Sequence, residues 1–502
     1  MDTLQAGQTS APETFDSVNP ANSEVIATFP VFGQAEVNAA VERAATAAAW
    51  WAGLDWKERQ TRLLAWKSHL TRYIGRLAEL VHTETGKPLD DAKLEIVLAI
   101  VHLDWAARNA RRVLAAHRVR SGLTALNQAA YLEYVPLGVI GVIGPWNYPV
   151  FTPMGSIAYA LAAGNAVVFK PSEFTPAVGG WLVSSFAEIV PEQPVLQLIT
   201  GAGSTGEALA LSGVNKIAFT GSSATARKVM AACAQNLTPM IAECGGKDAL
   251  LIGADADLDA AADAAAWGAV SNAGQTCVGV ERVYVVDEVY HTFVEKLTER
   301  MADARAGDDR EAAYGPMTMP GQLEVVEDHI ADALARGGRA VLGGMQSIRR
   351  PYVDPVILAD VPEQSMAVQE ETFGPTITVT RVASLEEGVE LANKNRFALG
   401  SAVFAGNAKK AMAAARALRA GMTAINSVIA FATVPALPFG GVGDSGFGRI
   451  HGADGLREFT RAKAITRQRM KPPVNLTSLA RSDKDMNRLL SLTTLLHGKR
   501  YR

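Results

Sequence analysis

Cysteine is scarce in this chain of 502 residues: there are three, Cys233, Cys244 and Cys277. Cys277 sits in Ser271-Asn272-Ala273-Gly274-Gln275-Thr276-Cys277-Val278-Gly279. Small and polar residues precede it and glycines bracket it. Backbone in such a stretch can approach a ligand closely while the sulfur stays accessible. A covalent nucleophile fits that setting, and so does a small buried apolar residue. Three other stretches carry chemistry. Lys170-Pro171-Ser172-Glu173 offers a lysine and a glutamate able to hydrogen-bond sugar hydroxyls, or to form a solvated surface pair. Gly221-Ser222 opens a helix expected over 223–234, whose first amides can hold a phosphate. Gly201-Ala202-Gly203-Ser204-Thr205-Gly206 matches the dinucleotide fingerprint GxGxxG. That fingerprint needs an acidic residue roughly 20 positions on. None lies between Glu207 and Glu243, so a surface turn is the better reading.

These groups need elements that bring them to one edge. From residue 137 onward, short apolar runs alternate with helical stretches. The run 139–143 ends at Gly144-Pro145-Trp146-Asn147, 166–169 at Lys170-Pro171, and 195–199 at Thr200-Gly201. The run 217–220 ends at Gly221-Ser222, and 238–242 at Glu243. Short strands separated by helices predict a parallel, doubly wound sheet, which collects ligands at the carboxyl ends of its strands. A second α/β region starts near Ala249, with strands at 282–286, 376–379 and 423–426 and a helix over 290–304. Ahead of both, helical patterning covers 36–51, 57–85 and 90–117, with a break at Gly86-Lys87-Pro88. Residues 119–136 read as an exposed strand or hairpin, and 438–452 as a glycine-rich loop that approaches another segment closely.

Composition narrows the class. Hydrophobic residues make up 48% and charged residues 20%, with a net charge of -3. This describes an ordinary globular protein of two or more domains, with no global attraction to nucleic acid or an anionic membrane. Three cysteines make no disulfide framework, and with eight histidines they form no metal motif, so no metal site is expected. The start, MDTLQAGQTSAPETF, lacks the basic and apolar segments of a signal peptide. No apolar run reaches the roughly 18–20 residues of a membrane span. The expected location is the cytoplasm.

Eight ordered motifs extend the reading. They are Glu84-Thr85-Gly86-Lys87-Pro88, Pro145-Trp146-Asn147-Tyr148-Pro149, Lys170-Pro171-Ser172-Glu173, Phe219-Thr220-Gly221-Ser222, Glu243-Cys244-Gly245-Gly246-Lys247, Gly274-Gln275-Thr276-Cys277, Glu370-Glu371-Thr372-Phe373-Gly374-Pro375 and Pro438-Phe439-Gly440-Gly441. Over roughly residues 15–465 the chain resembles the NAD(P)-dependent aldehyde dehydrogenase superfamily. The resemblance implies two Rossmann-like, doubly wound parallel-sheet domains, one for the cofactor (1–117 and 137–247) and one catalytic (248–446). A small β oligomerisation element, with the C-terminal tail, would use 118–136 and 447–502.

The resemblance also implies roles. Cys277 would attack the aldehyde carbon, Asn147 would donate to the oxyanion with the Cys277 amide, and Glu243 would activate the water that hydrolyses a Cys277 thioester. Lys170 and Glu173 would hold the adenosine ribose, and Gly221 and Ser222 the pyrophosphate. Glu371 would meet the nicotinamide ribose, with Phe373 and Trp146 lining the cofactor cleft. Glu173 favours NAD and leaves NADP as the second choice, because a carboxylate repels a 2′-phosphate. Tyr148, Trp267, Val278 and Phe439, with Met154 as a further candidate, would border the aldehyde. Their apolar character points to an aliphatic or aromatic substrate. A semialdehyde is the alternative, since no arginine presents itself to grip a carboxylate. Transfer of the acyl group to coenzyme A is a third reading, and Glu243 argues against it because that branch tends to lack the base.

Two departures stand out: Cys244 replaces the usual leucine after the glutamate, and Ala226 replaces a glycine in the phosphate helix. The tail beyond residue 466 is basic, with Arg467, Arg469, Lys471, Arg481, Arg488, Lys499, Arg500 and Arg502. It also holds leucines 489, 490, 492, 495 and 496, which suit packing in a homodimer or homotetramer.

Overall fold

The computed structural model describes residues 13–471 and 478–499. Residues 1–12, the greater part of the stretch read above for a signal peptide, lie outside them, as do Arg500 and Arg502 of the tail. The chain divides into two compact units. The larger runs up to Val113 and over Pro136–Thr460, and the smaller combines Leu114–Val135 with the residues from Arg461 on.

Two α/β sheets organise the larger unit. The first has the order Gly446–Phe447, Met240–Glu243, Lys216–Thr220, Val139–Ile143, Ala166–Lys170, Leu196–Leu198. Four of its five pairings are parallel, and the fifth joins the Gly446–Phe447 edge antiparallel to Met240–Glu243. Val139–Ile143 and Ala166–Lys170 are buried along their whole length. That is why they read as continuous apolar runs: helices cover both faces. The winding reverses between Val139–Ile143 and Lys216–Thr220, so a crevice opens beyond their carboxyl ends. Asn147 follows the first of these strands and Ser222 the second.

The second sheet has the order Arg339–Leu342, Val356–Ala359, Thr376–Val382, Val280–Val286, Asp248–Ile252, Ser401–Phe404, Ala424–Ile425. All its pairings are parallel except that of Arg339–Leu342. Its winding reverses between Asp248–Ile252 and Ser401–Phe404. The expected doubly wound parallel architecture is therefore present twice.

Three details depart from the sequence reading. The 57–85 stretch is two helices, Trp56–Arg72 and Ile74–Thr85, divided at Tyr73 (φ -106, ψ 20), two residues before Gly75. The second sheet contains four strands beyond those read from the sequence: Arg339–Leu342, Val356–Ala359, Asp248–Ile252 and Ser401–Phe404. Residues 447–460, assigned above to the tail element, lie within the larger unit.

The smaller unit holds a three-stranded sheet ordered Thr460–Gln468, Gln128–Pro136, His117–Val119. It also holds the helix Asp483–His497, capped by Ser482 and Asp485 in a reciprocal pair and exposing Leu490, Leu492 and Leu495. Among the described residues no helix is long and apolar enough to cross a membrane.

Candidate active site

The helix Leu258–Val270 ends just before the cysteine loop. The chain then passes through three left-handed residues in succession, Asn272 (φ 54), Ala273 (φ 56) and Gly274 (φ 72). Such backbone costs on the order of 1–3 kcal/mol at a non-glycine residue and persists only where surroundings fix it. Here the surroundings are polar and complete. Gln275 Nε2 donates to Asn272 O at 2.9 Å, and its Oε1 accepts Thr318 N–H at 2.8 Å. Asn147 Nδ2 donates to Gln275 O at 2.9 Å, and Asn272 Nδ2 donates to Asn147 O at 3.0 Å. The end of a first-sheet strand is thus laced to the cysteine loop. One N–H of the Asn147 amide is taken and the second is free for a ligand.

Cys277 is partly exposed and lines two cavities. Burial, followed by Glu371, Asp248 and Glu243, pushes its thiol above the ordinary range. Asp248 and Glu371 are themselves pushed up to about 8, first by burial. The resting thiol keeps its proton, so the chemistry needs a proton acceptor.

Glu243 lines the same two cavities. It is buried, and neither carboxyl oxygen meets a protein hydrogen-bond partner. Burial raises it well above its ordinary value, with Arg449 opposing. Its backbone carbonyl accepts Gly221 N–H at 3.1 Å, which ties the phosphate turn to this strand. Gly440 stands against its side chain at φ 152, where an added Cβ would lie 2.8 Å from Glu243 Oε1. Only glycine fits there, which accounts for one glycine of the 438–452 run.

The larger cavity, about 2380 Å³, is a cleft at the carboxyl ends of the first sheet. Lys170, Glu173, Gly221, Ser222, Trp146, Glu371 and Phe373 all line it, together with Asn147, Glu243 and Cys277. Lys170 Nζ lies 3.6 Å from Glu173 Oε2. Ser222 Oγ accepts Thr225 N–H at 3.2 Å and caps the helix Ser223–Gln235. Trp146 and Phe373 meet edge to face at 5.6 Å, and Glu371 accepts Gly246 N–H at 2.9 Å. A dinucleotide fits this donor set: a lysine and a glutamate able to bond sugar hydroxyls, a capped helix N-terminus and aromatic walls within one cleft. Ala202, Gly203 and Gly206 of the GxGxxG stretch also border the cleft, so that stretch is part of its wall and not a remote surface turn. Ala226 is buried inside the helix.

The second cavity, about 970 Å³, holds Tyr148, Trp267, Val278 and Phe439 in its lining, and meets the cleft at Glu243, Cys244 and Cys277. Trp267 is 46% exposed, whereas Met154 is fully buried and outside the lining. The sequence reading missed Phe151, Leu399, Ile429, Ile450 and His451, which also line it. No arginine is among the described residues of this wall. Tyr148 OH pairs with Thr276 Oγ1 at 2.9 Å. His451 and His102 meet at a tilt with ring centroids 3.9 Å apart. Burial lowers both, His102 to about 4. Cys244 packs inward as expected, is pushed up to about 12 by burial and Glu243, and borders both cavities.

Two doubly wound sheets that share a thiol, an unpartnered carboxyl and a dinucleotide cleft define an oxidoreductase class, and comparison with known proteins gives the family. The model of the aldehyde dehydrogenase family matches residues 7–465. A 4,4'-diapolycopene aldehyde oxidase from Methylomonas sp is 36% identical over 94% of this chain and 88% of its own length. A probable NADP(+) succinate-semialdehyde dehydrogenase from Sinorhizobium fredii is 35% identical over 90% of this chain and 92% of its own. The crystal structure of PnpE in complex with nicotinamide adenine dinucleotide, from a protein of Pseudomonas sp. WBC-3, superposes with a TM-score of 0.87. It is 32% identical and covers 92% of this chain and 96% of its own. The chain belongs to the aldehyde dehydrogenase family, and it is an NAD(P)-dependent oxidoreductase acting on aldehydes.

Proposed function

We propose that this enzyme oxidises apolar aliphatic or aromatic aldehydes to the free acid. The observation that carries the reading is the second cavity: an apolar lining that ends at Cys277 and Glu243. The Cys277 thiol gives its proton to water in the cleft and Sγ adds to the aldehyde carbon, while Asn147 Nδ2 and the Cys277 amide donate to the oxygen that becomes negative. When bound, the dinucleotide would supply the hydride acceptor needed for oxidation of the Cys277 adduct to the thioester. Glu243, with both oxygens free of protein partners, takes the proton of the hydrolytic water. Lys170, Glu173, Gly221, Ser222, Glu371, Phe373 and Trp146 hold the dinucleotide. Glu173 beside Lys170 favours NAD over NADP. A cytoplasmic location is part of the same reading. Pairing of the smaller unit between copies would give a homodimer or homotetramer.

The relative named as a succinate-semialdehyde dehydrogenase supports a second reading, a semialdehyde substrate. Against it, the one cation among the described residues of the cavity wall is Lys87, and Glu95 engages it at 2.6 Å. A series of straight-chain aldehydes decides between the two. Each added methylene is expected to raise kcat/KM about fourfold until the cavity fills, from about 0.8 kcal/mol per buried methylene. A higher kcat/KM for succinate semialdehyde than for hexanal would overturn the apolar reading.

A further inference from the structure

We infer that the buried Lys87–Glu95 ion pair is a positioning device that aims the Asn147 amide, and so sets the rate of attack and hydride loss at Cys277. This deepens the proposed role of Asn147 and rests on it. Lys87 lies in the turn before the helix Leu89–Leu114, and Glu95 lies inside that helix. Their charged ends meet at 2.6 Å with neither side chain exposed to solvent, so the two groups engage each other, although both residues border the second cavity.

Their remaining contacts fall on one five-residue segment, 147–151. Lys87 Nζ donates to Asn147 O at 2.9 Å and lies 4.0 Å from the Tyr148 ring centroid. Glu95 Oε1 accepts the amides of Val150 at 2.7 Å and Phe151 at 3.0 Å. A cation therefore holds the carbonyl at one end of the segment, and an anion holds the amides at the other. Hydrogen bonds to ionised groups are shorter and about twice as strong as neutral ones. Asn272 Nδ2 also reaches Asn147 O at 3.0 Å, so that carbonyl accepts two bonds. The Asn147 side chain leaves this fixed backbone and meets the cysteine loop at Gln275 O, 2.9 Å away.

A buried ion pair adds little stability that packed apolar side chains would not also give, and what it does fix is direction. Fold stabilisation and positioning make different predictions in combination with Asn147. The variant Lys87→Met/Glu95→Gln removes both charges together and leaves no lone buried ion. In full-length enzyme with hexanal and NAD, the burst rate of reduced cofactor reports the steps up to hydride loss. The double variant is expected to lower that rate about 100-fold, the scale of a small misplacement at a reacting centre. In an Asn147→Ala background the same change is expected to cost about threefold or less, because the group being aimed is gone. The affinity for NAD, measured by fluorescence titration, stays unchanged. An equal fractional loss in both backgrounds, or no loss in either, would overturn the inference. If Asn147→Ala alone left the burst rate untouched, the oxyanion role of Asn147 would be the reading that fails. Should the double variant not fold, Lys87→Arg, which keeps the charge but alters its reach, is compared in the same two backgrounds with the same outcomes.

Discussion

Asn147 and Glu243 sit at the ends of two strands of one sheet, both within 5% exposure, yet their surroundings are opposite. Asn147 is held on two sides: its carbonyl accepts from Lys87 and Asn272, and its side-chain amide donates one N–H to Gln275 O. Glu243 has no protein partner on either oxygen. A buried carboxyl left unpaired is costly, and here burial shifts it toward the neutral form. The two environments suit the two tasks proposed for these residues. An oxyanion donor acts through direction, so its position is over-determined. A general base acts by gaining and losing a proton, so its lone pairs stay open to water.

The largest effect that follows falls on Glu243. Glu243→Gln keeps the shape but not the basicity. Steady turnover should drop by about 10²–10⁴, the usual contribution of a positioned base, while the burst of reduced cofactor stays. Unimpaired steady turnover would remove Glu243 from the base role. The pH dependence sharpens the same point. A carboxyl raised by burial holds its proton to higher pH, so the basic form appears only as pH climbs through the raised value. Hydrolysis-limited turnover should rise with pH, by up to about tenfold per unit on the acid side, and then level. The stability sign is opposite. A group raised in the folded chain contributes stability that is complete at low pH and is lost as pH rises through the folded value. Glu243→Gln should flatten both profiles.

Asn147 comes next in size. Asn147→Ala should lower the burst rate by about 10²–10³, the cost of one oxyanion donor, with the hydrolysis step little changed. Stopped-flow measurement of the burst separates the two sites: one variant loses the burst rate, the other loses turnover after a normal burst. If both variants affected the same phase, the contrast between the two strand ends would have no mechanistic content.

Much of this contrast was visible in the sequence. Asn147, Lys170, Ser222 and Glu243 each follow a short apolar run, and parallel strands buried on both faces produce such runs wherever the polar residues must sit at the ends. The partners were not visible. Glu95 lies mid-helix, and its bonds to Val150 and Phe151 span 55 and 56 residues. Lys87 reads as part of a helix-breaking Gly86-Lys87-Pro88 turn, although its ammonium reaches Asn147 O across 60 residues. Ala273 carries no local signal for φ 56, because surrounding hydrogen bonds impose that backbone. His102 and His451 meet although they are far apart in the chain, so neither announces the other. Local pattern therefore reports where a strand ends, whereas long-range polar contacts decide which end group is held and which is left free.

The smallest effect tests how much freedom Glu243 needs. Gly440 has φ 152, a backbone that side chains avoid, and an added Cβ would sit 2.8 Å from Glu243 Oε1 and 2.9 Å from Gly448 O. Gly440→Ala should cost about 1–3 kcal/mol in stability for the strained backbone, read as a lower unfolding midpoint. It should also push the Glu243 carboxyl off its resting place. Turnover should then fall by less than in Glu243→Gln, and the burst should remain intact because Asn147 and its partners are not among the nearest atoms to Gly440. A lowered burst rate with unchanged hydrolysis would show that the glycine turn supports the oxyanion side instead, and would dissolve the division between a held donor and a free base.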